Sequence, residues 1–209
     1  MPNLTIALIN LKPGTGKTTS AVWLAHAFHE RGMPVLLVDA DPAASALEWS
    51  DLADGFPFRI IGMPSKELHR RVPEVAKPDE VVIIDVPQME DHKGIARSAL
   101  RLADELVIPV APHGIEINRM SPVLEEIDDA QPLRAHPARV SVLLNRVNRS
   151  STAHVETRED LTEDGWTVLD MTIPFVNRYS QSFALPVKAR ATEFEALAEQ
   201  LLKRAEADR

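Results

Sequence analysis

The sequence predicts an α/β fold, a doubly wound, mostly parallel sheet of about seven strands with helices on both faces. Three observations carry this. Short apolar runs recur along the 209 residues, and several are continuous rather than alternating, as in strands covered on both sides. Longer stretches with helical spacing separate them. A glycine-rich turn joins the first apolar run directly to the first helical stretch. No internal repeat or low-complexity linker divides the chain, so residues 1–209 are expected to form one domain.

Taken in order, the first strand is LTIALIN, Leu4–Asn10. A helix is expected over Lys17–Arg31, stopped by Gly32, a residue suited to the left-handed position after a helix. VLLVDAD (Val35–Asp41), FRII (Phe58–Ile61) and VVIIDVP (Val81–Pro87) read as the next three strands. A helix over Asp91–Ala103 leads to ELVIPV (Glu105–Val110). A helix over Asn118–Ala130 leads to VSVLLN (Val140–Asn145), and one over Ser151–Asp164 leads to TVLDMT (Thr167–Thr172). Ala191–Ala207 is the last helix. Most of the sixteen prolines fall at strand ends and loops.

Composition excludes several chemistries. Without cysteine there are no disulfides, thiolate metal sites or iron–sulfur clusters. No apolar run approaches the roughly 18 residues of a membrane span, and the N-terminus has no basic leader, so a cytoplasmic location is expected. The net charge of −8 argues against nucleic-acid binding by the whole surface; any such contact needs a local basic patch.

Three stretches carry chemistry. In NLKPGTGKTTS, the turn between strand and helix aims backbone N–H groups and a helix N-terminus at an anion. Lys17 can reach the β- and γ-phosphates of a nucleotide, Thr18 offers a hydroxyl to Mg²⁺, and Thr19 can bond a further phosphate oxygen. The common phosphate-loop spelling asks for glycine at position 11, where Leu11 stands. In VLLVDADP, Asp39 and Asp41 lie at the strand edge where open α/β sheets bind ligands, two residues apart and so able to share a face. Asp41 can equally cap a helix that begins at Pro42. In VVIIDVPQ, Asp85 ends an apolar strand, the place of a second Mg²⁺ anchor in phosphate-loop enzymes. A turn aspartate is the alternative.

LKPGTGKTT, VLLVDADP, VVIIDVPQ and ELVIPVAPHGIEI, in this order and spacing, resemble the ParA/MinD-type deviant Walker ATPases. The likeness runs from Leu4 to about Leu202 and is nearest to small plasmid-partition ParA proteins without an N-terminal helix-turn-helix domain. That family's loop reads K-G-G-x-G-K-T-T, so Lys12 falls on its signature lysine, and Gly14, Gly16, Lys17, Thr18 and Thr19 match too. The resemblance implies a phosphate-loop ATPase that binds ATP and Mg²⁺ along Lys12–Thr19, Pro13 and Thr15 included. It implies a homodimer with two ATP molecules between the subunits, Lys12 reaching the partner's nucleotide. Asp41 would position the attacking water, Asp39 would stand behind the metal, and Asp85 would anchor it. Lys12, Lys17 and Asp41 would thus form the catalytic set. Asn145, at the end of VSVLLN, would meet the base edge, and Arg178, in IPFVNRYSQSF, the base or the dimer face.

Two departures stand out. Pro13 replaces glycine and removes one N–H. Val86 replaces a hydroxyl residue near the γ-phosphate. The resemblance further implies a slow, partner-stimulated ATPase cycle for plasmid or chromosome segregation. The ATP dimer would bind DNA without sequence preference, associate with the nucleoid and respond to a ParB-like, centromere-binding adaptor. For DNA, Lys93, Arg97 and Arg101 line one helix face, and Arg134, Arg139, Arg146, Arg149 and Arg158 form a second basic stretch, followed by Lys188 and Arg190. Each set can also be an ordinary solvated face. The Glu-rich polar face of the last helix argues against membrane targeting. Two other readings share the fold: an orphan relative that positions a protein cargo, and a metabolic ATP-dependent ligase.

Overall fold

The computed structural model describes residues 4–112 and 120–207. Six strands form one all-parallel sheet: β1 (Leu4–Leu8), β2 (Val35–Asp39), β3 (Arg59–Gly62), β4 (Val81–Asp85), β5 (Glu105–Val110) and β6 (Arg139–Leu144). Their spatial order is β3-β2-β4-β1-β5-β6. After β1 the chain moves outward to one edge, returns to β4, and builds the other half, so β1 and β4 meet where the winding reverses. Ligands of such sheets bind at the carboxyl ends of the strands beside that reversal.

Strand residues alternate between two cores. Leu36, Val38, Val82, Ile84, Ile108 and Val142 pack on one face. That face is covered by α3 (Leu68–Val75), α4 (Met89–Leu100) and α5 (Ser121–Ala130). Ile6, Leu8, Leu37, Ile83, Val107 and Leu143 pack on the other, against α1 (Lys17–Glu30) and α8 (Glu193–Ala207). The remaining helices are α2 (Ser45–Leu52), α6 (Ala153–Glu163) and the single turn α7 (Asn177–Ser180). The apolar side of α8, Phe194, Leu197, Ala198 and Leu201, is buried in the core. No described helix is long and apolar enough to cross a membrane.

The expected seventh strand is a correction. Thr167–Thr172 runs beside β6 but touches it only in isolated bridges, Val142 with Val168 and, further on, Val147 with Pro174. Its midpoint is drawn toward α8 instead: the Met171 N–H donates to the Gln200 side chain, and Gln200 donates to Asp170. Pairing resumes only beyond the segment, where Ile173 N–H donates to the Leu144 carbonyl. Three described short helices, α2, α3 and α7, were not among the expected ones: α3 contains Pro73 and is half polar, α2 buries only Ala46, Trp49 and Ser50, and α7 is a single turn. The start of the helix expected over Asn118–Ala130, and the end of ELVIPVAPHGIEI, lie outside the described residues.

Candidate functional site

The loop between β1 and α1 is built by two glycines with positive φ, Gly14 at 74° and Gly16 at 87°. No side chain caps α1, so its first-turn N–H groups are left for an anion. At Gly16 a Cβ would come within 2.4 Å of the Asn145 amide nitrogen, so only glycine fits. Asn145 makes this approach because its Nδ2 donates to the Thr15 carbonyl at 3.0 Å. The residue expected to read a base edge is thus a buried brace between the end of β6 and the loop.

A cavity of about 450 Å³ opens over the loop. Pro13, Gly14, Gly16, Lys17, Thr18 and Thr19 line its polar end, with Asp41, Gln88, Asn145 and Arg146 around them. Ile173, Pro174, Phe175, Val176, Tyr179 and Phe194 form an apolar end. One end suits phosphates and the other a flat ring, and the volume is in the range of small-ligand sites. Lys12 and Thr15 do not line it. Thr15 is buried with its hydroxyl unpartnered. Arg178 lines a neighbouring groove with Trp23, Gln181 and Ser182, so the structure does not bring it to this cavity.

The three acids expected at the site diverge. β2 ends at Asp39, whose carboxylate accepts from the N–H groups of Asp41 (3.1 Å), Ala46 (2.9 Å) and Leu47 (3.0 Å). Asp39 therefore tethers the start of α2, a role the sequence reading had offered to Asp41. Burial raises its pKa, and those three N–H bonds oppose the rise. Asp41 instead reaches the cavity rim, where it also accepts from Ala43 N–H at 2.9 Å. β2 ends at Asp39, so the turn places Asp41, and the Asp41 charge still acts to raise the pKa of Asp39.

Asp85 is 1% exposed, and neither carboxylate oxygen has a hydrogen-bond partner among the described residues. Burial pushes its pKa up to about 7; the nearby Thr18 hydroxyl, too poorly aligned to satisfy it, and the Lys17 ammonium pull the other way. Lys17 is itself buried, which lowers its pKa against the raising influence of Asp85 and Asp41. Its Nζ donates to the Lys12 carbonyl at 3.0 Å. A buried, unpaired carboxylate is costly unless a cation meets it. Asp85 and the Thr18 hydroxyl are hard oxygen donors of the kind Mg²⁺ takes, and Mg²⁺ commonly needs only one or two protein ligands when phosphates complete its shell. No group of three or more His, Cys, Asp or Glu suited to another metal occurs among the described residues.

The basic stretches also separate in space. Lys93 and Arg97 pair with Glu126 and Asp129 on the facing helix. Arg134 donates to the carbonyls of Leu100 and Ala103, Arg139 pairs with buried Glu105, and Arg149 pairs with Glu193. Arg158 donates to the Asp170 carbonyl and Arg190 to that of Glu30. Arg146 leaves the basic stretch altogether. Its Nη1 donates to the Gly14 carbonyl at 2.8 Å, on the nucleotide-sized cavity. Charge counting along the chain missed this, because a turn at φ 57° sends the side chain back over the loop. Gln88, four residues before the α4 kink at His92, was likewise not singled out.

Comparison with known proteins agrees with the geometry. The chain is 34% identical over 164 residues to the maintenance of carboxysome distribution protein A of Gloeobacter kilaueensis, covering 77% of this chain and 71% of that one. It is 25% identical over 187 residues to protein ParA of Rhizobium radiobacter, covering 87% and 81%. Its fold superposes with a TM-score of 0.77 on cobyrinic acid a,c-diamide synthase from Mycobacterium smegmatis, solved with ADP and magnesium, at 19% identity over 100% of this chain and 97% of that one. Residues 6–185 match the model of the CobQ/CobB/MinD/ParA nucleotide-binding domain, and the chain belongs to that family.

Proposed function

We propose that this protein is an ATP-dependent switch for partition or positioning, a slow ATPase whose Mg²⁺–ATP-bound form is a homodimer. The observation that carries the reading is the unpaired Asp85, buried behind the cavity lining within electrostatic reach of Lys17 and Thr18, two residues that line its polar end, while Lys12 does not line it. Backbone N–H groups of the loop and the Lys17 ammonium would hold the phosphates. Asp85 and Thr18 would hold Mg²⁺, which when bound neutralises charge on the β- and γ-phosphate oxygens. Asp41, at the rim, is the carboxylate available to orient a water toward the γ-phosphate. Lys12 lies outside its own cavity and is left to a second subunit's nucleotide, where an added cation favours the developing charge.

The dimer would bind duplex DNA without sequence preference and let go when an adaptor stimulates hydrolysis. A dimer doubles any local basic patch, which can offset the negative average of a chain of net charge −8. The 34% identity to a protein named for carboxysome distribution favours a second reading of the cargo, a protein assembly in place of a plasmid or chromosome.

The test is binding to duplex DNA of arbitrary sequence at fixed salt with ATP or ADP, beside Lys12→Ala. ATP-dependent binding that Lys12→Ala loses, while still binding ATP as a monomer, is the expected result. An undiminished ATP-dependent dimer in Lys12→Ala would sink the mechanism.

A further inference from the structure

The chain leaving β4 brings a neutral amide to the cavity. Val86 and Pro87 are buried, and Gln88 is the first residue after the strand to line the cavity, where it stands with Asp41 around the polar end. Its backbone is fixed there. The next two N–H groups, of Met89 and Glu90, donate to the carbonyls of Asn10 and Leu11 at 3.2 and 3.3 Å, where β1 gives way to the phosphate loop. A kink at His92, with φ −124°, separates this turn from the rest of α4. The turn that carries Gln88 is therefore fastened to the loop. The side chain is held as well, because its Nε2 donates to the Asp91 carboxylate. An ionised carboxylate only accepts, so it takes the nitrogen end of the amide and leaves the oxygen end as an acceptor.

We propose that Gln88 is a second water-positioning residue: its Oε1 accepts one O–H of the water that attacks the γ-phosphate, while Asp41 accepts the other, and Asp91 holds the amide in that orientation. This rests on the ATPase reading above. In-line attack needs a lone pair of the water aimed at phosphorus, and two acceptors on its two O–H bonds fix that direction where one does not. In the step, the water oxygen bonds to the γ-phosphorus. The bond from that phosphorus to the β,γ-bridging oxygen breaks, and ADP keeps the electron pair. One proton of the water stays on the product phosphate, and the other leaves through Asp41 to solvent. Gln88 neither gains nor loses a proton; a neutral amide acts here by direction alone. Val86, fully buried, brings no hydroxyl to the site, so Gln88 is the first side chain after Asp85 able to offer an acceptor to the cavity.

The experiment is single-turnover phosphate release by the full chain with Mg²⁺ and ATP, beside calorimetric titration with the same nucleotide. Gln88→Met keeps the bulk of the side chain and removes the acceptor. Its turnover should fall about 10- to 100-fold, with ATP affinity within about 3-fold of wild type. Asp91→Ala should lower turnover by about 5-fold in the wild-type background and by nothing further in Gln88→Met, since it acts only through that amide. Turnover of Gln88→Met within about 2-fold of wild type overturns the proposal. So does a loss of ATP affinity as large as the loss of turnover, which would make Gln88 a phosphate-binding group. An Asp91→Ala loss that adds in full to that of Gln88→Met overturns the anchoring of the amide. All three outcomes leave the ATPase reading standing. A wild-type chain that binds ATP with Mg²⁺ and releases no phosphate overturns both.

Discussion

Asp39 and Asp85 occupy matching positions on neighbouring parallel strands, directly across from each other in register. Both are buried to 1% exposure, and both end an apolar run. Their surroundings differ completely. Asp39 receives three backbone N–H groups from the turn and helix that follow β2, whereas Asp85 receives none. The comparison teaches that burial of an acid in a sheet edge has two outcomes. One acid is satisfied by its own chain and becomes part of the fold. The other is left unsatisfied behind the cavity lining, where it is within electrostatic reach of Lys17.

That contrast can be broken in three ways. The largest expected effect is from Asp85→Ala. Its ATP turnover should fall by about 100-fold or more, and its ATP affinity should become indifferent to Mg²⁺. Phosphate release and titration with and without Mg²⁺ would measure both. Next, Asp39→Ala should lose about 2–3 kcal/mol in urea unfolding, since it strands N–H groups at the start of α2. Its Mg²⁺ dependence should survive. A stable Asp39→Ala that no longer responds to Mg²⁺ would reverse the roles assigned here.

The smallest effect concerns pH. In the ligand-free fold Asp85 keeps its proton up to about pH 7, while the unfolded carboxyl gives it up near the ordinary aspartate value of 3.8. Between these values the native state binds more protons than the unfolded one, so stability should fall as pH rises and level off above about 7. Asp85→Asn should remove about 1–2 kcal/mol of that fall. Denaturant midpoints at the two ends of this pH window, without Mg²⁺ or nucleotide, would measure it. Equal pH slopes in wild type and Asp85→Asn would mean that the carboxyl ionises freely where it lies.

The parts of the molecule legible in the sequence are those determined locally. Apolar runs located β1 to β6 to within a few residues, most plainly β2 and β4, which are buried along their whole length and have no exposed polar side to show; β3, at the sheet edge, is only half-buried. The spacing Gly14-Thr15-Gly16-Lys17 located the loop, because positive φ and a helix start need those residues in that order. Thr167–Thr172 had a strand's composition, but after Leu169 donates to Val142 its next β6-facing donor, the Met171 N–H, goes to Gln200, a partner 29 residues away. α3 was hidden by Pro73, which belongs in no regular helix pattern. The misplacement of Arg146 has the same cause at the site. Its direction depends on a backbone torsion held by Asn145, and basic spacing along a chain says nothing of torsions.

Lys17 donates to the carbonyl of Lys12, with Pro13 rigidly fixing the chain between them. The ammonium of Lys17 has two further N–H groups to offer, so it can hold the Lys12 carbonyl and turn toward the cavity at once, and the first turn of the loop is fastened by the same side chain that lines the cavity.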